Sequence, residues 1–315
     1  MVVLEIKNLN LSFQLDAGIF ETLKDVSLSL KKGEIHALVG ESGCGKTMTA
    51  MSIIGLLPKN AIITDGEILY NNVNLLKLKE RNLRKLRGKN ISLIPQDPMM
   101  SLNPLYTIGN QILEVIDKNI SRKEAVQTAV EVLSAVKIPN PKEKLNIYPH
   151  ELSGGMKQRV IIAMALAAKS DVIIADEPTT ALDVTIQAQI MKILTDIKND
   201  FGTSILLISH DLGLVGEYAD EISVMYSGSI VENANVDEFF TNMLHPYSKA
   251  LMAALPSDSA ADRLKTINGQ PPDIQGCITG CRFSPRCEKA NNTVCKSVPK
   301  LKSYKNNHLA ACFRI

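Results

Sequence analysis

The stretch Gly40-Glu-Ser-Gly-Cys-Gly-Lys46-Thr47 constrains this chain more than any other. It follows the short strand-like segment Glu34–Val39 and opens a helical pattern that reaches about Leu56 and stops before Pro58. Gly40, Gly43 and Gly45 let the backbone curl until its N–H groups converge on one anion, and the helix behind adds the positive end of its dipole. Lys46 can then reach the outer phosphates of a nucleotide, and the Thr47 hydroxyl can ligate Mg²⁺. Such a loop needs a strand on one side and a helix on the other. An α/β fold is expected.

The rest of the chain supplies that sheet. Asp171–Ala175 and Ser204–Ser209 are near-continuous apolar runs rich in β-branched residues, which suits parallel strands covered on both faces. The helical pattern Ile186–Lys198 lies between them and completes a strand–helix–strand unit. Earlier, Val2–Ile6, Leu11–Phe13, Val26–Leu30 and Glu67–Leu69 read as short strands, with Asp16–Ile19 as an inserted turn. Ser101 to Lys157 reads as helical, punctuated by prolines. Glu221–Met225 and Ser229–Val231 form a last strand pair around the Tyr226-Ser-Gly turn, and a boundary is placed near residue 257.

Composition removes several functions. Lys plus Arg number 35 against 33 Asp plus Glu, so no charge excess calls for a nucleic-acid partner. Aromatics are 4% with no Trp, which speaks against a base-stacking single-strand binder. The longest apolar run, Val160–Ala168, falls well short of the roughly 20 residues of a membrane span. The first residues alternate like a strand and lack the pattern of a secretory signal, so the cytoplasm is the expected compartment. Lys77–Lys89 is strongly basic, but Leu75, Leu78, Leu83 and Leu86 recur as one helix face would; a solvated amphipathic helix is expected there rather than a binding patch.

Val172-Ile-Ile-Ala-Asp176-Glu177 adds the second half of a nucleotide site. An apolar strand ending in an acid places Asp176 at the carboxyl edge of the sheet, where it can hold Mg²⁺, with Glu177 set to orient or deprotonate water. Leu152-Ser-Gly-Gly-Met-Lys-Gln158 narrows the choice: Ser153, Gly154 and Gly155 open a second anion-binding helix. This segment resembles the signature sequence of the ABC-transporter ATPases, and the expected fold is accordingly a P-loop NTPase of that type. The resemblance implies a RecA-like core with an antiparallel β subdomain and an α-helical signature subdomain. It also implies that two ATPase domains pair head to tail, each signature closing the other's site.

The order of the remaining motifs is similar to that family. Gln96 matches the Q-loop that senses γ-phosphate and Mg²⁺, Ala181-Leu-Asp183 the D-loop, and His210 the switch histidine. Phe13 is favoured over Phe20 as the aromatic that stacks on adenine. The resemblance thus implies that Gly40, Glu41, Ser42, Gly43, Cys44, Gly45, Lys46 and Thr47 hold ATP, that Thr47, Gln96 and Asp176 serve Mg²⁺, and that Glu177, Gln96 and His210 take part in hydrolysis.

Gln96–Pro104, Ala175–Gln189 and His245–Leu251 look like the oligopeptide/dipeptide importer branch, and Thr179-Thr180 like its OppD/DppD-type subunit. Nickel and metal-chelate importers share that branch and form the alternative; a soluble ABC protein without transport is the more distant one. The implied partners are a second ATPase subunit of the OppF/DppF type, two membrane permeases and an extracytoplasmic solute-binding protein. The implied place is the cytoplasmic face of the membrane. Residues 1–256 are expected to form the nucleotide-binding domain, with a helical subdomain over about 97–157, and residues 257–315 a small Cys-rich extension. Cys281, Cys287, Cys295 and Cys312 resemble the family's [4Fe–4S] ligands, zinc or free thiols being the other readings, and Cys277 is extra.

Overall fold

The computed structural model describes residues 1–180, 182–254, 267–272, 279–291 and 293–315. The expected boundary near 257, Cys277 and Ala181 lie outside them. The chain divides into two compact units. One comprises Met1, Leu30–Ile35 and Lys77–Ile208; the other comprises Val2–Ser29, His36–Leu76 and Ser209–Ile315.

The first unit is built on parallel strands Ile91–Ile94, Val172–Asp176 and Ser204–Ser209, paired in the spatial order in which the chain visits them. Every residue of the latter two is buried, as their unbroken apolar runs require when both faces are covered. Val184–Phe201 is the crossover helix; Asp183 caps it by accepting the Ile186 N–H at 3.0 Å, and Gly202 at φ 67° ends it. Residues 98–167 are helical in pieces: Ile108–Val115, Arg122–Ala135 with a Ser121/Glu124 capping box, and Gly154–Ala167, with turns and shorter helical pieces between. The basic stretch holds a helix only over Glu80–Leu86, shorter than expected and with no buried residue. Its charge is solvated, and Glu80 pairs with Arg87 at 2.7 Å.

The second unit carries His36–Val39 of the strand Ile35–Val39, which pair in parallel with the first residues of Glu221–Tyr226; Ser229–Asn235, Leu309–Ala310 and Lys302–Ser303 continue antiparallel. It also holds the antiparallel sheet of Gly18–Lys31, Val2–Leu15, Ala61–Tyr70 and Val73–Asn74. This sheet corrects two expectations. Val2–Ile6 and Leu11–Phe13 are one strand, because register shifts beside Asn10 and a left-handed Asn8 (φ 47°) break the alternation without ending the pairing. The inserted turn is only Asp16-Ala17, so the next strand begins at Gly18. Among the described residues no helix is long and apolar enough to cross a membrane.

Candidate active site

In the second unit the strand Ile35–Val39 runs straight into the glycine-rich loop, and the helix Lys46–Ile54 leaves it. Gly40 is required by close approach: a β-carbon there would collide with the Met225 carbonyl. Gly45, at φ 112°, forms the helix N-cap, and a β-carbon would come within 2.6 Å of Leu23. Lys46 is almost wholly buried and donates from Nζ to the carbonyls of Gly40 (2.8 Å) and Glu41 (3.1 Å). The lysine ammonium therefore lies over the glycine-rich loop. Thr47 follows as the second helical residue, half-buried, while Ser42 and Gly43 are exposed. Burial pushes the Cys44 thiol up, so it stays protonated and acts as a small apolar residue. His210 follows the buried Ser209 at a strand end and is exposed. Phe13 and Phe20 are both half-buried, Phe13 opposite Ala61.

In the first unit Asp176 ends its strand and is buried. Glu177 has a left-handed backbone at φ 48° and donates its N–H to the Ile208 carbonyl at 2.9 Å. Its Oε2 accepts from Gln96 Nε2 at 3.0 Å and from Thr180 Oγ1 at 2.9 Å. Two candidate site residues 81 positions apart in sequence are thus in direct contact. The sequence marks Thr180 only as a feature of the subfamily, and its role as a donor to Glu177 emerges here. Gln187 steadies the loop by donating to the Thr179 and Leu182 carbonyls, both at 3.2 Å.

Ser153 caps the helix Gly154–Ala167, accepting the Met156 N–H. Ser153, Gly154 and Gly155 line a cavity of about 530 Å³ together with Lys137, Arg159 and Asp183. The expected signature and the D-loop acid therefore share one concavity, at the positive end of a 14-residue helix. Arg159 is fixed by the Val136 and Lys137 carbonyls and by Gln189.

Cys281, Cys287, Cys295 and Cys312 are all free thiols of intermediate burial. Each sulfur accepts a backbone N–H: Cys281 from Phe283 and Ser284, Cys287 from Lys289, Cys295 from Asn291 at 3.5 Å and Cys312 from Arg314 at 3.3 Å. Desolvation raises the Cys281 and Cys287 thiols, and the charges of Cys295 and Cys312 add to the rise at both.

Comparison with known proteins agrees with this geometry. The family model described as "ABC transporter" matches residues 23–180, and the one described as "Oligopeptide/dipeptide transporter, C-terminal region" matches residues 231–295. The oligopeptide transport ATP-binding protein OppD of Escherichia coli is 44% identical, covering 99% of this chain and 93% of its own length. The dipeptide transport ATP-binding protein DppD of Bacillus subtilis is 46% identical over 90% of this chain and 86% of its own. Among solved structures, the dimeric bacterial ABC transporter cassette MJ0796 superposes with a TM-score of 0.67 at 28% identity, covering 74% of this chain and 98% of that one. The same cassette is also known as a post-hydrolysis dimer bound to ADP and Pi, with a TM-score of 0.66.

Proposed function

The chain belongs to the ABC transporter family, and from that premise we propose that it is the ATP-hydrolysing subunit powering an importer of oligopeptides or dipeptides. One observation carries the cargo: the ABC transporter match is followed, in the same chain, by the oligopeptide/dipeptide transporter C-terminal match at residues 231–295. Within it, residues 1–256 serve as the nucleotide-binding domain and 257–315 as its extension. The partners are a second ATPase subunit, two permeases and a solute-binding protein, at the cytoplasmic face of the membrane.

The chemistry is phosphoryl transfer to water, where positioning and charge stabilisation supply the rate. Lys46 and the N–H groups of the glycine-rich loop hold the phosphates, Phe13 takes the adenine, and Thr47, Gln96 and Asp176 serve Mg²⁺. Glu177 aligns the attacking water and accepts its proton, while His210 contacts the γ-phosphate. The hydrogen bonds from Gln96 and Thr180 support this role, because they fix the Glu177 carboxylate at the end of a buried strand. Ser153, Gly154 and Gly155 act on the nucleotide of the second subunit.

The reading of Cys281, Cys287, Cys295 and Cys312 as iron–sulfur ligands is supported by two features: each sulfur accepts a backbone N–H, a contact that favours the thiolate form, and the charges of Cys295 and Cys312 act on both Cys281 and Cys287. When bound, the cluster supplies a cross-link between four positions of a segment too short to build a large core of its own.

Cells lacking the chain test the whole reading. Wild type should restore uptake of a labelled tripeptide, and Lys46→Ala should not. Restored nickel uptake without peptide uptake would move the cargo to the metal-chelate branch.

A further inference from the structure

The segment Cys281–Cys287 is anchored by three side chains, of which Arg286 reaches the glycine-rich loop itself. Phe283 is 3% exposed, and its ring packs against those of Tyr226 (5.1 Å between centroids), Tyr247 (5.3 Å) and His245 (5.9 Å). Arg282 donates to the Ser227 carbonyl and to Glu21 at 3.1 Å. Arg286, whose side chain is 4% exposed, makes a two-pronged pair with Glu41: Nη1 to Oε2 at 2.7 Å and Nη2 to Oε1 at 2.9 Å. Its Nε donates to the Asn268 carbonyl at 3.0 Å, and Nη1 reaches the Tyr226 hydroxyl at 3.4 Å.

Glu41 is the second residue of the glycine-rich loop, and its other polar groups are engaged as well. Its N–H donates to the Tyr247 hydroxyl at 2.9 Å, and its carbonyl accepts from Lys46 at 3.1 Å. A carboxylate on a loop that receives a polyanion is an electrostatic liability unless it is neutralised in place. A planar guanidinium is the group suited to that task, because its fork matches both carboxylate oxygens and fixes their direction. The aromatic wedge of Phe283 sets Arg286 in position before any nucleotide arrives, so little ordering remains to be done on binding.

We propose that Arg286 is a positioning residue of the ATP site, which cancels the charge of Glu41 and holds the glycine-rich loop in its binding shape. Nucleotide affinity then depends on the seating of the Cys281–Cys287 segment. The proposal rests on the reading of Gly40–Thr47 as the ATP loop.

The test uses the full chain and equilibrium binding of a fluorescent ATP analogue, with steady-state hydrolysis in the presence of the second subunit. Arg286→Ala should weaken nucleotide affinity and raise KM by about tenfold, the scale of a lost charge-assisted pair, while kcat changes much less. Arg286→Lys keeps the charge and loses the fork, so it should fall between the two. Adding Glu41→Gln to Arg286→Ala should restore most of the affinity, since the unneutralised charge is gone. Higher ionic strength should narrow the gap between Arg286→Ala and wild type. A merely structural role predicts neither rescue nor salt dependence. Amide exchange over residues 40–47 in the nucleotide-free chain should quicken in Arg286→Ala. Unchanged affinity, absent rescue by Glu41→Gln, or unchanged exchange would each overturn the proposal. A wild-type chain that binds no ATP would instead sink the nucleotide reading itself, a failure the exchange measurement keeps separate.

Discussion

Glu177 is the one residue of the proposed catalytic set placed in left-handed backbone, at φ 48°. For a residue other than glycine that conformation costs on the order of 1 kcal/mol, and it persists because the strand end holds the N–H on the Ile208 carbonyl. The strain turns the carboxylate toward Gln96 and Thr180. Glu177→Gln keeps the shape and removes the base, so ATP binding should survive while hydrolysis falls by about a hundredfold or more. Retained wild-type turnover would exclude Glu177 as the residue that activates water. Thr180→Ala removes one of the two donors. It should lower kcat by about three- to tenfold and leave KM for ATP unchanged, the roughly 1 kcal/mol of a typical single hydrogen bond, because Gln96 still donates to the same carboxylate oxygen. A rise in KM instead would make Thr180 a part of nucleotide binding.

Among the elements, the helix Pro246–Ala253 shows how a start signal can also set pH dependence. Proline opens it without losing a needed donor, and His245 caps it. The imidazole Nδ1 accepts the Tyr247 N–H at 3.1 Å, which only the unprotonated ring can do. Burial lowers the His245 pKa from 6.5 to about 4, partly opposed by its hydrogen bond to the Ala311 backbone. The unfolded chain therefore binds this proton first as the pH falls. Stability should be unaffected above about pH 6.5 and decline between there and pH 4, by about 3 kcal/mol in all. Urea midpoints across that range check this, and His245→Asn should flatten the slope. The cysteine-rich segment should carry its own signature. Protein purified without oxygen should be brown and hold about four irons per chain, and Cys287→Ser should lose both colour and iron. Stoichiometric zinc would keep the cross-link and discard the cluster. A colourless, metal-free and folded segment would discard both.

At the scale of the whole molecule the proposed function gives the cavity beside Ser153 a role between chains. The cavity gathers Ser153, Gly154, Gly155 and Asp183 at a helix N-terminus, and under the proposed function it serves another chain's nucleotide. The isolated chain should thus bind ATP but turn it over slowly, with activity recovered on adding the second ATPase subunit. Ser153→Arg should leave ATP binding to the chain alone intact and reduce turnover of the mixed pair. Full activity of a proven monomer would refute the shared site. The amino-acid sequence by itself determined the glycine-rich loop, the buried parallel strands and the capped signature helix, because each is set by neighbours within a few residues: positive φ at Gly45, unbroken apolar runs, a serine before two glycines. Where Val2–Leu15 breaks was not legible in it, since strand pairing there bridges a local irregularity that periodicity reads as an end. Only the tertiary structure decided the contacts of Glu177 with Gln96 and of Glu41 with Arg286, the latter 245 positions apart. Such pairs carry no local signature. Each polar group is compatible with solvent on its own, and its partner is selected only when packing removes the water between them.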